Sequence, residues 1–150
     1  MPAVVYRGQF GIGEEKELVE EAVRVLARGL PEGWSEVKFR ADALHGYMET
    51  YGIVTMEDGG QKEFNGNFVI LKVLHDLRVG MYMQDKGTWY SMRILLDGNG
   101  KYSVNYNYNY APRFNVPPTN QTYLEDLKYF PREEEQIPGW LKEMRTERSS

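Results

Sequence analysis

Between Glu14 and Leu30 the apolar positions Val19, Val23, Leu26 and Leu30 recur at spacings of three and four, which predicts a helix with one buried stripe. Glu14, Glu15 and Glu17 near its start and Arg24 and Arg28 near its end suit the helix dipole. Gly29 and Pro31 stop it. From Trp34 the period changes to two. Val37, Phe39, Ala41 and Ala43 alternate with Lys38, Arg40 and Asp42, so one face of this strand is buried and the other wet. A second strand follows from about Tyr47 to Met56, Glu57 to Gly60 turns the chain, and Gln61 to Phe64 can add a short third strand. The helical spacing returns at Ile70, Leu74, Leu77 and Met81. It marks a second helix starting near Asn67, capped by Asn65 or Asn67, and ending around Met83.

The segments Thr88 to Leu96 and Lys101 to Tyr110 flank Asp97-Gly98-Asn99-Gly100 and read as a hairpin. Placing apolar side chains together sets Leu96 opposite Tyr102 and Ile94 opposite Val104. Asp97 then faces Lys101 across a three-residue loop, with Gly100 supplying the positive φ such a loop needs. A one-residue slip would bury Asn105 and Asn107 instead, so the register is firmly set. The other face of this hairpin carries Trp89, Ser91, Arg93, Asn105, Asn107 and Asn109.

Pro112, Pro117 and Pro118 exclude a central strand or helix after Tyr110. Thr119 or Asn120 can cap a short helix holding Tyr123, Leu124 and Leu127, which Pro131 ends. Ile137 to Leu141 reads as an anchor that docks on the core before a last short helix, with a frayed tail from Arg145 to Ser150. Ala3 to Tyr6 reads as a short strand or a mobile arm, within an uncertain segment 1–13. With neither repeat nor boundary, residues 1–150 form one domain. Its class is α+β: an antiparallel sheet of about four to five strands, with helices mainly on one face.

The charge narrows the function. Twenty-two acids against eighteen Lys and Arg give a net charge of −4, which disfavours a general nucleic-acid binder and suits a basic protein partner. With no cysteine there is neither a disulfide nor a thiolate site, as in a reducing cytosol. No secretory leader and no run approaching the roughly 20 apolar residues of a membrane span are visible, so a cytoplasmic location is expected. His45 and His75 are the only histidines and neither has ligand spacing. No serine lies in a nucleophile motif, and neither Gly11-Ile12-Gly13 nor Gly98-Asn99-Gly100 is a phosphate loop. A binding protein without catalysis, metal or cofactor is therefore expected.

Several segments, in order, resemble one family. They are Leu30-Pro31-Glu32-Gly33-Trp34, Leu74-His75-Asp76-Leu77-Arg78 with Met81-Tyr82, Gly87-Thr88-Trp89-Tyr90-Ser91, and the alternating stretch Gly100 to Tyr108. Tyr123 to Leu127, Phe130-Pro131-Arg132 and Ile137 to Leu141 complete the pattern across residues 14 to 144. Together they resemble the YezG-like immunity (antitoxin) proteins of actinobacterial type. The resemblance implies a cytoplasmic protein that neutralises a cognate secreted polymorphic toxin, often a nuclease, by covering its active or functional surface. It implies no catalysis; that neither a membrane nor a nucleic-acid partner is expected follows from the charge and the short apolar runs. The family pattern has Asp where this chain has Asn105, Asn107 and Asn109, which weakens attraction to a basic toxin.

Three surfaces are candidates for toxin binding: the strand face Trp89, Arg93, Asn105, Asn107 and Asn109; the Pro-rich loop with Arg113 and Phe114 beside Tyr110; and the acidic run around Glu134. Each has a purely structural reading as well. Trp89 can cover a helix, Arg113 and Phe114 can pack their own loop, and Tyr102, Tyr106 and Tyr108 share a face with Val104 and belong to the core. Two other functions compete. One is a small-ligand module with a pocket between sheet and helices lined by Tyr106 and Tyr108. The other is a single-strand nucleic-acid binder, for which the aromatic strands lack flanking Lys and Arg.

Overall fold

The computed structural model describes residues 10–11 and 13–147. The strand or arm expected at Ala3 to Tyr6 and the tail residues 148–150 lie outside the described residues. The elements are α1 (Glu14–Arg28), β1 (Trp34–Leu44), β2 (Tyr47–Met56), β3 (Gln61–Phe64), α2 (Phe68–Gly80), β4 (Ser91–Asp97), β5 (Tyr102–Asn107), α3 (Asn120–Tyr129), a 3-10 turn at Glu134–Gln136, and α4 (Gly139–Glu147). The strands form one antiparallel sheet in the order β3-β2-β1-β4-β5, and the fold is α+β.

β1 is the central strand, paired with β2 on one side and β4 on the other, and its period-two pattern gives it one buried face. Val37, Phe39, Ala41 and Ala43 are buried beneath α1 and α2, together with Met92, Ile94 and Leu96 of β4. Asn67 caps α2 by accepting the Ile70 N–H at 3.0 Å. In α1 the buried stripe is Val19, Ala22, Val25 and Leu26. It is rotated slightly from the expected one: Ala22 and Val25 are buried, while Val23 and Leu30 are only partly buried.

The hairpin has the expected register. Leu96 pairs with Tyr102, Ile94 pairs with Val104, and Gly100 sits at φ 87° in the loop. The Asp97 N–H donates to the Lys101 carbonyl at 2.9 Å, and the Asp97 carboxylate accepts the N–H groups of Asn99 and Lys101. Its strands are shorter than expected, ending at Ser91 on one side and at Asn107 on the other. Tyr102 lies at the rim of the helix-covered face and is 38% exposed, not core.

A second apolar cluster joins Leu44 and Tyr90 to Phe114, Tyr123, Leu124, Ile137 and Leu141. Leu44 and its partner Tyr47 have the strand parity of Arg40 and Asp42, so the C-terminal segment covers that end of the sheet face turned away from α1 and α2. The anchor at Ile137 to Leu141 is the entry and first turn of α4, and that helix continues through Arg145 to Glu147 where a frayed tail was expected. Among the described residues no helix is long and apolar enough to cross a membrane.

Candidate functional site

Among the described residues, nothing covers the rest of that outer face. It contains a groove of about 320 Å³ lined by Arg40 and Asp42 of β1, Ser91 and Arg93 of β4, Asn105 and Asn107 of β5, and Tyr110, Ala111 and Arg113 of the following loop. A smaller hollow of about 210 Å³ shares Arg40 and Arg93 and runs on past Lys38, Tyr51, Ile53 and Leu95. Strand parity puts these side chains on one surface, and antiparallel register aligns them: Arg40 pairs with Arg93, and Arg93 pairs with Asn105.

Asp42 organises the groove. It was expected to face water, yet it is only 2% exposed. Its Oδ1 accepts the Ser91 hydroxyl at 2.7 Å and the Arg113 N–H at 3.1 Å. Arg40 Nε lies 2.9 Å from Asp42 Oδ2, an ion pair whose N–H is not aimed at the carboxylate. A buried carboxylate needs such partners to remain charged. Here they fasten the loop to the sheet.

Glu49 fastens the same loop further on. Its carboxylate accepts the N–H groups of Asn115 at 2.7 Å and Val116 at 3.1 Å. The Tyr47 hydroxyl lies within reach of both Glu49 Oε2 and the Val116 carbonyl, which share its single proton. Partial burial pushes the Glu49 pKa up, but the donated hydrogen bonds outweigh it and hold the carboxyl below its ordinary value of 4.5. A depressed folded-state pKa means that the clamp is fully present above the ordinary value and is lost as pH falls through the depressed one. Protection of the Asn115 and Val116 amides, taken relative to the intrinsic exchange rate at each pH, is therefore expected to fall as pH drops from 7 through the depressed Glu49 value. In Glu49→Gln that protection should already be low at pH 7 and change little with pH. Equal protection in both proteins would remove this role.

The structure gathers five of the nine expected contact residues at the groove: Arg93, Asn105, Asn107, Tyr110 and Arg113. Arg93, Asn105 and Arg113 are exposed, and Tyr110 is 80% exposed at the rim. Asn107 is only partly available. Its Oδ1 accepts the Tyr110 N–H and its Nδ2 donates to the Tyr110 carbonyl, both at 2.8 Å, so the side chain builds the turn that ends β5.

Trp89 is not a surface residue. It precedes β4, is 0% exposed in the main core beside Tyr106, and its carbonyl accepts a hydrogen bond from Arg78 Nε at 2.7 Å. Phe114 is also core, packed edge-on against Tyr47 and Tyr123. Asn109 lies beyond β5, where its carbonyl accepts Trp140 Nε1 at 2.8 Å. Glu134 is exposed on the 3-10 turn, paired with Arg145 at 2.8 Å, and does not line the groove. Hydrogen bonds from Arg145 hold its carboxyl below the usual range.

Sequence reasoning missed Lys38 and Arg40 as site residues. Their alternation with buried positions marked them only as wet, and nothing local shows that β4 places Arg93 beside them. The premise that the strands lack flanking cations is corrected accordingly. The pocket between sheet and helices is also placed differently: it is lined by Val25, Leu26, Phe64 and Ile70 at the β3 end, away from Tyr106 and Tyr108.

Chemically, the groove offers guanidinium, amide and phenol donors. Neither histidine lines it. Among the described residues no cluster of three His, Asp or Glu is gathered for a metal. Opposed arginines on neighbouring strands destabilise a sheet by on the order of 0.5 kcal/mol, so the register of Arg40 with Arg93 costs the fold stability. No protein-family model and no curated protein matches this chain.

Proposed function

We propose that this chain is a non-catalytic immunity protein of the bacterial cytoplasm, which neutralises a cognate toxin by occupying its functional surface through the open sheet face. The resemblance to YezG-like immunity proteins supports the toxin as partner. The observation that carries the binding face is the exposed groove around Arg93, where donors from three strands and a pinned loop converge.

A rigid sheet suits this task, because side chains already ordered lose little entropy on binding. Exposed Tyr110 and Arg113 sit at the rim, and tyrosine and arginine are the residue types most often found to dominate interfaces. The test is co-expression with a toxin domain, sought first in the reading frames next to this gene. Arg93→Ala and Tyr110→Ala are each expected to weaken the complex by about 2 kcal/mol, roughly thirtyfold in Kd, and to lose rescue. Their thermal stability should stay at the parent value, since both side chains are exposed. Turnover of a small molecule by the purified chain, or unaltered rescue by both variants, would overturn the reading.

A further inference from the structure

We infer that the partner surface received by this face is acidic, a protein segment presenting carboxylate side chains to Arg40, Arg93 and Arg113. This rests on the reading that the open face binds another protein, and it replaces the basic partner that the overall charge of −4 suits with an acidic one, because the local charge of this face is positive.

The cross-strand register carries the argument. Lys38 has Ile53 on one side and Leu95 on the other. Arg40 has Tyr51 and Arg93, and Arg93 has Arg40 and Asn105. No position directly opposite any of these cations is an acid, although acids outnumber Lys and Arg in the chain by 22 to 18. Asp42 serves Arg40, while Arg93, Lys38 and the Arg113 side chain form no ion pair among the described residues. The groove and the hollow meet at Arg40 and Arg93, so both guanidinium groups border space that an incoming group can fill. Guanidinium binds carboxylate through two parallel hydrogen bonds, which adds direction to charge.

The patch is also bounded. Glu36 and Asp97 pair with each other at one end of this face, and Glu63 pairs with Ile53 at the β3 side. A continuous phosphate backbone would have to pass these acids, and successive bases would need successive stacking rings. Tyr110 is exposed, but the hydroxyl of Tyr51 is held by Glu63, which pushes its pKa up. A compact cationic patch with an acidic rim fits one acidic loop better than a nucleic-acid strand.

The test uses the full chain labelled with ¹⁵N and titrated at low salt with an octaglutamate peptide, and separately with an eight-residue oligothymidylate. Octaglutamate is expected to move the signals of Arg40, Arg93, Asn105 and Arg113. Arg93→Gln should weaken its binding at least tenfold with an unchanged or higher melting temperature. Octaglutamate that leaves this face unmoved, or oligothymidylate that binds it more tightly at the same salt, overturns the inference. The two readings separate cleanly. An unmoved face combined with lost rescue in Arg93→Ala removes the acidic partner and keeps neutralisation. Octaglutamate binding combined with full rescue in Arg93→Ala keeps recognition of acids and removes neutralisation through this face.

Discussion

Asp126→Ala is expected to lower stability by about 3–5 kcal/mol, the range for removing one member of a buried ion pair. Arg78 and Asp126 are each 3% exposed. Arg78 Nη1 and Nη2 donate to the two Asp126 oxygens at 2.6 and 3.0 Å, and the His45 N–H donates to Oδ1 at 2.6 Å. The guanidinium also lies over the Phe130 ring at 4.7 Å. Truncating Asp126 leaves that cation and the His45 N–H inside the protein without the carboxylate, which is far costlier than losing an exposed pair.

The position of the pair adds to the effect. It ties α2 to α3, between Trp89 of the main core and Tyr90 of the second cluster. Urea denaturation should show the midpoint falling at constant slope if the two clusters still unfold together. The double variant Arg78→Met/Asp126→Leu should recover much of the loss, since no charge is then stranded. A loss below about 1 kcal/mol for Asp126→Ala, the value of an exposed pair, would refute the assignment.

Gly87→Ala is the second large effect, about 2–4 kcal/mol, combining left-handed backbone strain with buried polar groups left unpaired. Gly87 adopts φ 96°, and a Cβ there would lie 2.1 Å from Arg132 Nε. Arg132 cannot yield without loss. Its Nη2 donates to the carbonyls of Thr88 at 3.1 Å and Tyr108 at 2.8 Å, and its Nη1 to that of Gln136 at 3.1 Å. These bonds join the entry of β4, the exit of β5 and the C-terminal segment. Gly59→Ala is the control, because Gly59 has φ 91° but open space around it. It should cost only about 1 kcal/mol, from strain alone. Equal losses at both glycines in thermal or urea unfolding would show that Arg132 moves aside freely.

These two sites mark where the chain was hardest to read. Arg78 belongs to one helix stretch and Asp126 to another, and in sequence each alone resembles a solvated charge. Their burial depends on a partner 48 positions away. Trp89 looked like a surface residue because strand parity was extended two residues too far. The groove was half visible: Arg93, Asn105, Tyr110 and Arg113 are near one another in sequence, whereas Arg40 and Asp42 come from a strand that the hairpin signal does not mention.

The sequence by itself determined what depends on neighbours along the chain. The period of two in β1, the period near 3.6 in α1 and α2, the Asn67 cap and the Leu96–Tyr102 register all follow from local geometry and from keeping apolar side chains out of water. Tertiary structure alone decided the strand order β3-β2-β1-β4-β5, and with it which charges meet. The opposition of Arg40 to Arg93, the burial of Asp42 and the Arg78–Asp126 pair exist only once distant segments are side by side. A charge is defined by its residue, but its energy is set by the groups and the solvent around it, and those are supplied by the fold.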